Sequence, residues 1–218
     1  MFENELESFK AKYPLIKEYL PQLEKTLSEE KFLHSIGCMI TSYELMISQL
    51  GKSSCSFSPF EKETLLEKSV IAGLLHDCAK NLSIDEMVAI CEKFGITEKE
   101  VGSMSRSLLH APVGVFIAQR DYKIKDVEIL NAIRYHTTGR ANMLLLEKVV
   151  YMADVVEPTR EITYDVNPGD RENIIRQAKS DLNLSLLAEL EKGIRIIIKS
   201  GKFLNLDTVN ARNFLLNK

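Results

Sequence analysis

The chain has no CxxC pair, no long apolar run and no surplus of positive charge, and each absence removes a class of explanation. Its four cysteines, Cys38, Cys55, Cys78 and Cys91, lack the spacing of a secreted disulfide scaffold, so reduced thiols in a cytoplasmic protein are expected. No stretch approaches the ~18 apolar residues needed to span a bilayer, which argues against a membrane partner. Met1 to Lys12 is charged from Glu3 onward and has no signal-peptide apolar segment. Lys and Arg total 28 against 31 Asp and Glu, a net charge of -3, so nothing pulls the chain as a whole toward nucleic acid. Anion binding must come from a local cluster. Alternating strand-like runs are few.

What is present is helical periodicity, in 218 residues of which 45% are hydrophobic, enough to bury a sizeable core. Ile71, Leu74, Leu75 and Cys78 recur at i, i+3, i+4 and i+7, and Val127, Leu130, Ile133 and Arg134 make a comparable stripe with a polar last member. The β-branched run at 194–198 continues a long helical pattern beginning near Asp170. Ser83 with Glu86, and Thr97 with Glu100, fit the capping box, while Gly95 and Pro158 stand where helices should stop. Gly51 to Phe60 and Glu161 to Arg171 read as loops, the second holding Asn167-Pro168-Gly169. The expected fold is all-α: a helical bundle over 27–218 with a metal site in its core, preceded by a helical extension at 1–26.

All four histidines fall beside residues that suit a shared metal site: His34, the His76-Asp77 pair, His110 and His136, with Asp154 as a closing carboxylate. Imidazole with carboxylate suits one or two borderline divalent ions better than it suits calcium or a thiolate-bound structural zinc. On a helix His76 and Asp77 point about 100° apart, so a helix lying tangentially to the site is needed to use both. Taken singly, each residue has an ordinary explanation as a core histidine, a helix-face histidine or a solvated carboxylate. Together and in order they point to a metallohydrolase. Lys80, three residues beyond Asp77 on the same helix side, and Arg140, after the His136 loop, are placed to face a polyphosphate.

Five strings carry a closer likeness: KFLHSIG at 31–37, LLHDCAK at 74–80, LLHAPVG at 108–114, RYHTTGR at 134–140 and YMADVVEPTR at 151–160. His34, His76-Asp77 and Asp154 resemble the minimal pattern of the HD superfamily of metal-dependent phosphohydrolases. His110 and His136 resemble the additions found in members that hold two ions. The whole resembles the YqeK family of symmetrical diadenosine tetraphosphate hydrolases, from about Leu27 to about Leu216. The resemblance implies that His34, His76, Asp77 and Asp154 surround one ion, while Asp77 also reaches a second held by His110 and His136. It implies iron, although the ligands alone accept manganese, cobalt or zinc equally, and it places Lys80, Arg140 and Arg160 near phosphates, with Asp77 and Lys80 taking part in catalysis. The chain departs from the family in the loop at Gly51 to Phe60, in lacking an Asn-Pro step before His110, and in having Cys78 where a bulkier aromatic is common.

The implied reaction is attack by a hydroxide bridging two ions on a dinucleoside tetraphosphate, releasing two nucleoside diphosphates, ADP from diadenosine tetraphosphate. Alternatives are an HD-type phosphohydrolase of another nucleotide, a dinuclear-iron HD oxygenase and an inert nucleotide sensor. The Cys-Ala-Lys after His76-Asp77 differs from the Glu-Asp step of alarmone hydrolases, and no GYP segment points to cyclic dinucleotides. Apolar helix faces leave room for a homodimer.

Overall fold

The computed structural model describes residues 2–93, 106–160 and 168–217, and among them there are helices and no strand. In chain order these are α1 (Glu3–Lys12), α2 (Leu15–Thr26), α3 (Glu29–Leu50), α4 (Pro59–Leu75), α5 (Ile84–Lys93), α6 (Arg106–Asp121), α7 (Val127–Tyr135), α8 (Leu145–Val156), α9 (Pro168–Ser180), α10 (Leu182–Lys199) and α11 (Leu206–Leu216). The loop at Gly51 to Phe60 closes two residues early, because Ser58 caps α4 in a full capping box with Glu61 and Pro59 occupies the first turn. Ser83 and Glu86 form the expected box at α5. Thr97, Glu100 and Gly95 lie outside the described residues, as does the loop from Glu161 to Asn167.

Three local readings are corrected. Pro168 to Arg171 belong to α9 rather than to a loop, with Pro168 at the helix start, where its missing N–H costs nothing. The long pattern from Asp170 is two helices, because Asp181 turns the chain and its carboxylate accepts the N–H of Leu184 as the cap of α10. In α7 the buried stripe is Ile129, Leu130, Ala132 and Ile133, whereas Val127 is two-thirds exposed.

The core is continuous. Phe9, Tyr13, Ile16, Tyr19, Leu20 and Leu23 of α1 to α2 join the same buried cluster as Met39, Leu45, Leu74, Leu75, Ile133 and Met152, and Phe9 meets the Tyr43 ring of α3 edge-on at 5.0 Å. Helices α3 and α4 form its spine. They cross so closely that a Cβ on Gly73 would lie 2.7 Å from Ser42 Oγ and 2.9 Å from the Cys38 carbonyl oxygen and Met39 Cα. This contact lies one turn past His34 in α3 and one turn before His76 at the end of α4, and so sets the two histidines side by side.

Candidate metal centre

Five helices, with the turn that follows α4 and carries Asp77, bring six side chains to one point. His34 lies in α3, His76 is the C-cap of α4, His110 lies in α6, His136 is the C-cap of α7 and Asp154 lies in α8. The expectation that Asp77 and Lys80 continue a helix is corrected: α4 ends at Leu75 and residues 76–80 are turns. Cys78 donates to the Leu75 carbonyl at 3.1 Å and Lys80 to that of Asp77 at 2.8 Å. Such i to i+3 bonds wind the chain at about three residues per turn, so residues three apart eclipse. Lys80 therefore stands over Asp77, with Nζ 3.3 Å from Oδ1 and 3.1 Å from His110 Nε2.

The donor atoms are packed at coordination spacing. His34 Nε2 is 3.1 Å from His76 Nε2, 3.0 Å from Asp154 Oδ1 and 3.6 Å from Asp77 Oδ2. His110 Nε2 is 3.0 Å from both His136 Nε2 and Asp77 Oδ1, and His136 Nε2 is 3.4 Å from that same oxygen. Two donors each about 2.1 Å from one ion, at angles near 90–110°, stand about 3.0–3.4 Å apart. Without a cation, neutral imidazoles meeting Nε2 to Nε2 oppose lone pairs unless one carries a proton. The donor set therefore fits a divalent metal in three overlapping groups: His34, His76 and Asp77; His76, His136 and Asp154; and Asp77, His110 and His136.

Hydrogen bonds fix which ring nitrogen faces inward. His76 Nδ1 lies 2.8 Å from the Gly73 carbonyl and His136 Nδ1 2.8 Å from that of Ile133, so each Nδ1–H donates and Nε2 is left for a ligand. His34 Nδ1 instead meets the carboxylate of Glu157 at 2.9 Å. Glu157 has no solvent exposure and also accepts the Thr159 N–H at 2.7 Å and the Thr159 hydroxyl. Sequence reasoning missed it, because a glutamate before Pro158 at a helix end reads as an exposed charge. The available signal was Gly37, one turn past His34, whose missing side chain leaves the space that Glu157 Oε2 fills. His110 Nδ1 is buried without a partner among the described residues.

Burial and charge pull against each other here. Burial disfavours a charged His34, but Asp154 and Glu157 outweigh it and raise the imidazole to about 9. Burial drives His76 down, and drives His110 to about 4 in spite of Asp77. For Asp77 burial favours the neutral acid, yet His76 and the hydrogen bonds of His110 and His136 hold it well below the usual carboxylate range. Asp154 is likewise held down against burial, first by the Arg160 guanidinium and then by His34 and His76. Cys38, one turn after His34, and Cys78, beside Asp77, are buried thiols whose pKa burial raises well above the usual value.

A pocket of about 80 Å³ opens onto one side of this cluster, lined by Glu30, Lys31, His34, Asp77, Lys80, Thr159 and Arg160. Arg160 donates from Nε to the Asp154 carbonyl at 2.8 Å and from its terminal nitrogen to Asp154 Oδ1. Lys31, one turn before His34, is a third cation at the rim that sequence reasoning missed, and its ammonium reaches Asn81 Oδ1 at 2.8 Å. Arg140 is not among the lining residues. It forks onto buried Glu147 at 2.6 and 2.8 Å and lies over the Tyr135 ring.

The HD domain family model matches residues 32–159. The chain is 33% identical to the Bacillus subtilis protein named bis(5'-nucleosyl)-tetraphosphatase, symmetrical, over 92% of this chain and 97% of that one. It is 34% identical to the protein of the same name from Halalkalibacterium halodurans, over 87% and 91%. A crystal structure from Clostridium acetobutylicum, titled as an HD superfamily hydrolase involved in NAD metabolism, superposes with a TM-score of 0.75 at 33% identity, covering 92% of this chain and 96% of that one. No helix among the described residues is long and apolar enough to cross a membrane. With this likeness running nearly end to end, the chain belongs to the HD-domain hydrolases, in the YqeK family of symmetrical bis(5'-nucleosyl)-tetraphosphatases.

Proposed function

We propose that the protein hydrolyses diadenosine tetraphosphate and related dinucleoside polyphosphates symmetrically, giving two ADP, at a centre of two divalent ions with iron as the first choice. The observation that carries this reading is the placement of Asp77. Its Oδ2 faces His34 and His76, each at 3.6 Å, while its Oδ1 faces His110 and His136 at 3.0 and 3.4 Å. One carboxylate thus has an oxygen for each of two ligand groups. His34, His76 and Asp154 would hold one ion, and His110 and His136 the other. Ions bound there supply Lewis acidity toward phosphoryl oxygens and an activated water as nucleophile.

The chain's own residues supply the rest. Asp77, kept ionised, accepts a hydrogen bond from the attacking water and orients it. Lys80 stands over Asp77 at the pocket mouth and offsets charge on the equatorial oxygens of the phosphate under attack. Arg160 and Lys31 meet the flanking phosphates. Three cations on one small pocket favour a polyphosphate over the uncharged polyol of a dinuclear-iron oxygenase. Arg140 enters this scheme through Glu147, which also accepts the Leu144 N–H at the start of α8. It braces the helix that carries Asp154.

The test is product analysis by anion-exchange chromatography after anaerobically purified protein, loaded with ferrous iron, is mixed with diadenosine tetraphosphate. ADP as the sole nucleotide product is expected. ATP with AMP would replace symmetrical by asymmetric cleavage, and intact substrate across iron, manganese and cobalt would overturn the assignment.

A further inference from the structure

We propose that Glu157 is the positioning residue of the centre: it holds the His34 ring so that Nε2 faces inward, and so sets the affinity of the ion bound on that side. This rests on the two-ion reading above. Glu157 is the C-cap of α8, three residues after Asp154, and its backbone N–H still bonds to the Ala153 carbonyl. Its carboxylate is wholly buried, yet it makes no contact with a lysine or arginine among its described hydrogen bonds. It accepts instead from His34 Nδ1 and from both donors of Thr159. A buried carboxylate is costly unless its oxygens are engaged in this way, and the partner it selects is a candidate ligand.

The two other anchored rings are tied by main-chain carbonyls within their own helical turns, at Gly73 and Ile133. His34 is the one of these three oriented by an acid from another helix. A charged acceptor at Nδ1 makes the opposite nitrogen a stronger donor than a neutral carbonyl does, and loss of such an outer partner typically weakens metal binding about 10- to 100-fold. The segment from 154 to 160 then has a compact logic. Asp154 is a ligand, Glu157 orients His34, Thr159 orients Glu157, and Arg160 fixes Asp154 and lines the pocket.

Gly37 is the second half of the device. A Cβ at this position would overlap Glu157 Oε2, so α3 carries both the ring to be oriented and the gap that admits its orienter. Gly37→Ala should therefore act on metal affinity through Glu157 rather than through the helix.

The experiment is a Mn²⁺ titration of chelator-stripped full-length protein followed by electron paramagnetic resonance, with thermal melts of every variant in parallel. Wild type should bind two ions. Glu157→Gln, which keeps the shape and removes the charge, should weaken one ion about 10- to 100-fold and leave the other within about twofold. Thr159→Val, a gentler change that guards against failure of the first to fold, should weaken the same ion by a smaller factor. Gly37→Ala should weaken it as well, and the Gly37→Ala, Glu157→Ala double variant should be no weaker than Glu157→Ala alone. Two ions bound by Glu157→Gln at wild-type affinity, or both ions weakened equally, would overturn the proposal. Wild type that binds no Mn²⁺, Co²⁺ or Fe²⁺ would instead overturn the two-ion reading beneath it.

Discussion

The two sides of the donor cluster are built on opposite principles. On the His34 side the groups are charged and partly open: Asp154 pairs with Arg160, His34 is raised to about 9 between two carboxylates, and the small pocket reaches the surface there. On the His110 side the rings have no exposure, His110 is driven to about 4 by burial, and its Nδ1 has no partner among the described residues. One side is held by ion pairs and the other by enclosure. The difference teaches which side exchanges ligands with solvent and which stays sealed, and Asp77 is the side chain common to both.

Breaking that shared element should have the largest effect. Asp77→Asn removes the charge facing both histidine groups, and turnover should fall by at least about 10³-fold with bound metal depleted; wild-type turnover by a metal-loaded variant would contradict the scheme. Next come changes confined to one side. His110→Ala should take metal content from near two per chain toward one, with activity lost, whereas unchanged stoichiometry in elemental analysis would assign His110 to packing alone.

The contrast should also appear as two opposed pH slopes in the stability of metal-free protein. His34 has a folded pKa above its unfolded value of about 6.5, so its stabilisation is fully present below pH 6.5 and is lost as pH rises through about 9. His110 has a folded pKa below that value, so its neutral-state stabilisation is present above pH 6.5 and is lost as pH falls through about 4. Each amounts to roughly 3 kcal/mol from the size of the shift. Melting temperatures of chelated protein should therefore peak between the two limits, and His34→Gln should flatten the alkaline limb alone. The smallest effect belongs to the rim. Lys31→Ala should raise KM about three- to tenfold with kcat and melting temperature nearly unchanged, as fits one partly solvated charge on a phosphate.

The ligand candidates were legible because chemistry restricts them: four histidines, each beside a motif, leave few other arrangements. The all-helical fold was legible from apolar spacing in α4 and from the capping residues Ser83 and Glu86. The turns at 76–80 were not, since a series of i to i+3 bonds has nearly the apolar period of a helix. Arg140 reads toward phosphate because it follows the His136 loop, and nothing in the sequence reveals that Glu147, the partner seven residues on, is buried. Glu157 and Lys31 escaped for the same reason. Their roles depend on which helix crosses which, and that is decided by contacts such as Gly73 against Cys38 and Met39.

The two thiols packed near the cluster have a consequence for handling in air. Burial keeps Cys38 and Cys78 protonated, and a protonated, enclosed sulfur neither competes as a soft ligand nor enters the oxidation series that begins with thiolate. If the bound ions are iron, oxygen reaching them would change their valence and leave these two thiols intact. Activity lost by iron-loaded protein on exposure to air should return with a mild reductant and fresh ferrous iron, with neither Cys38 nor Cys78 to repair.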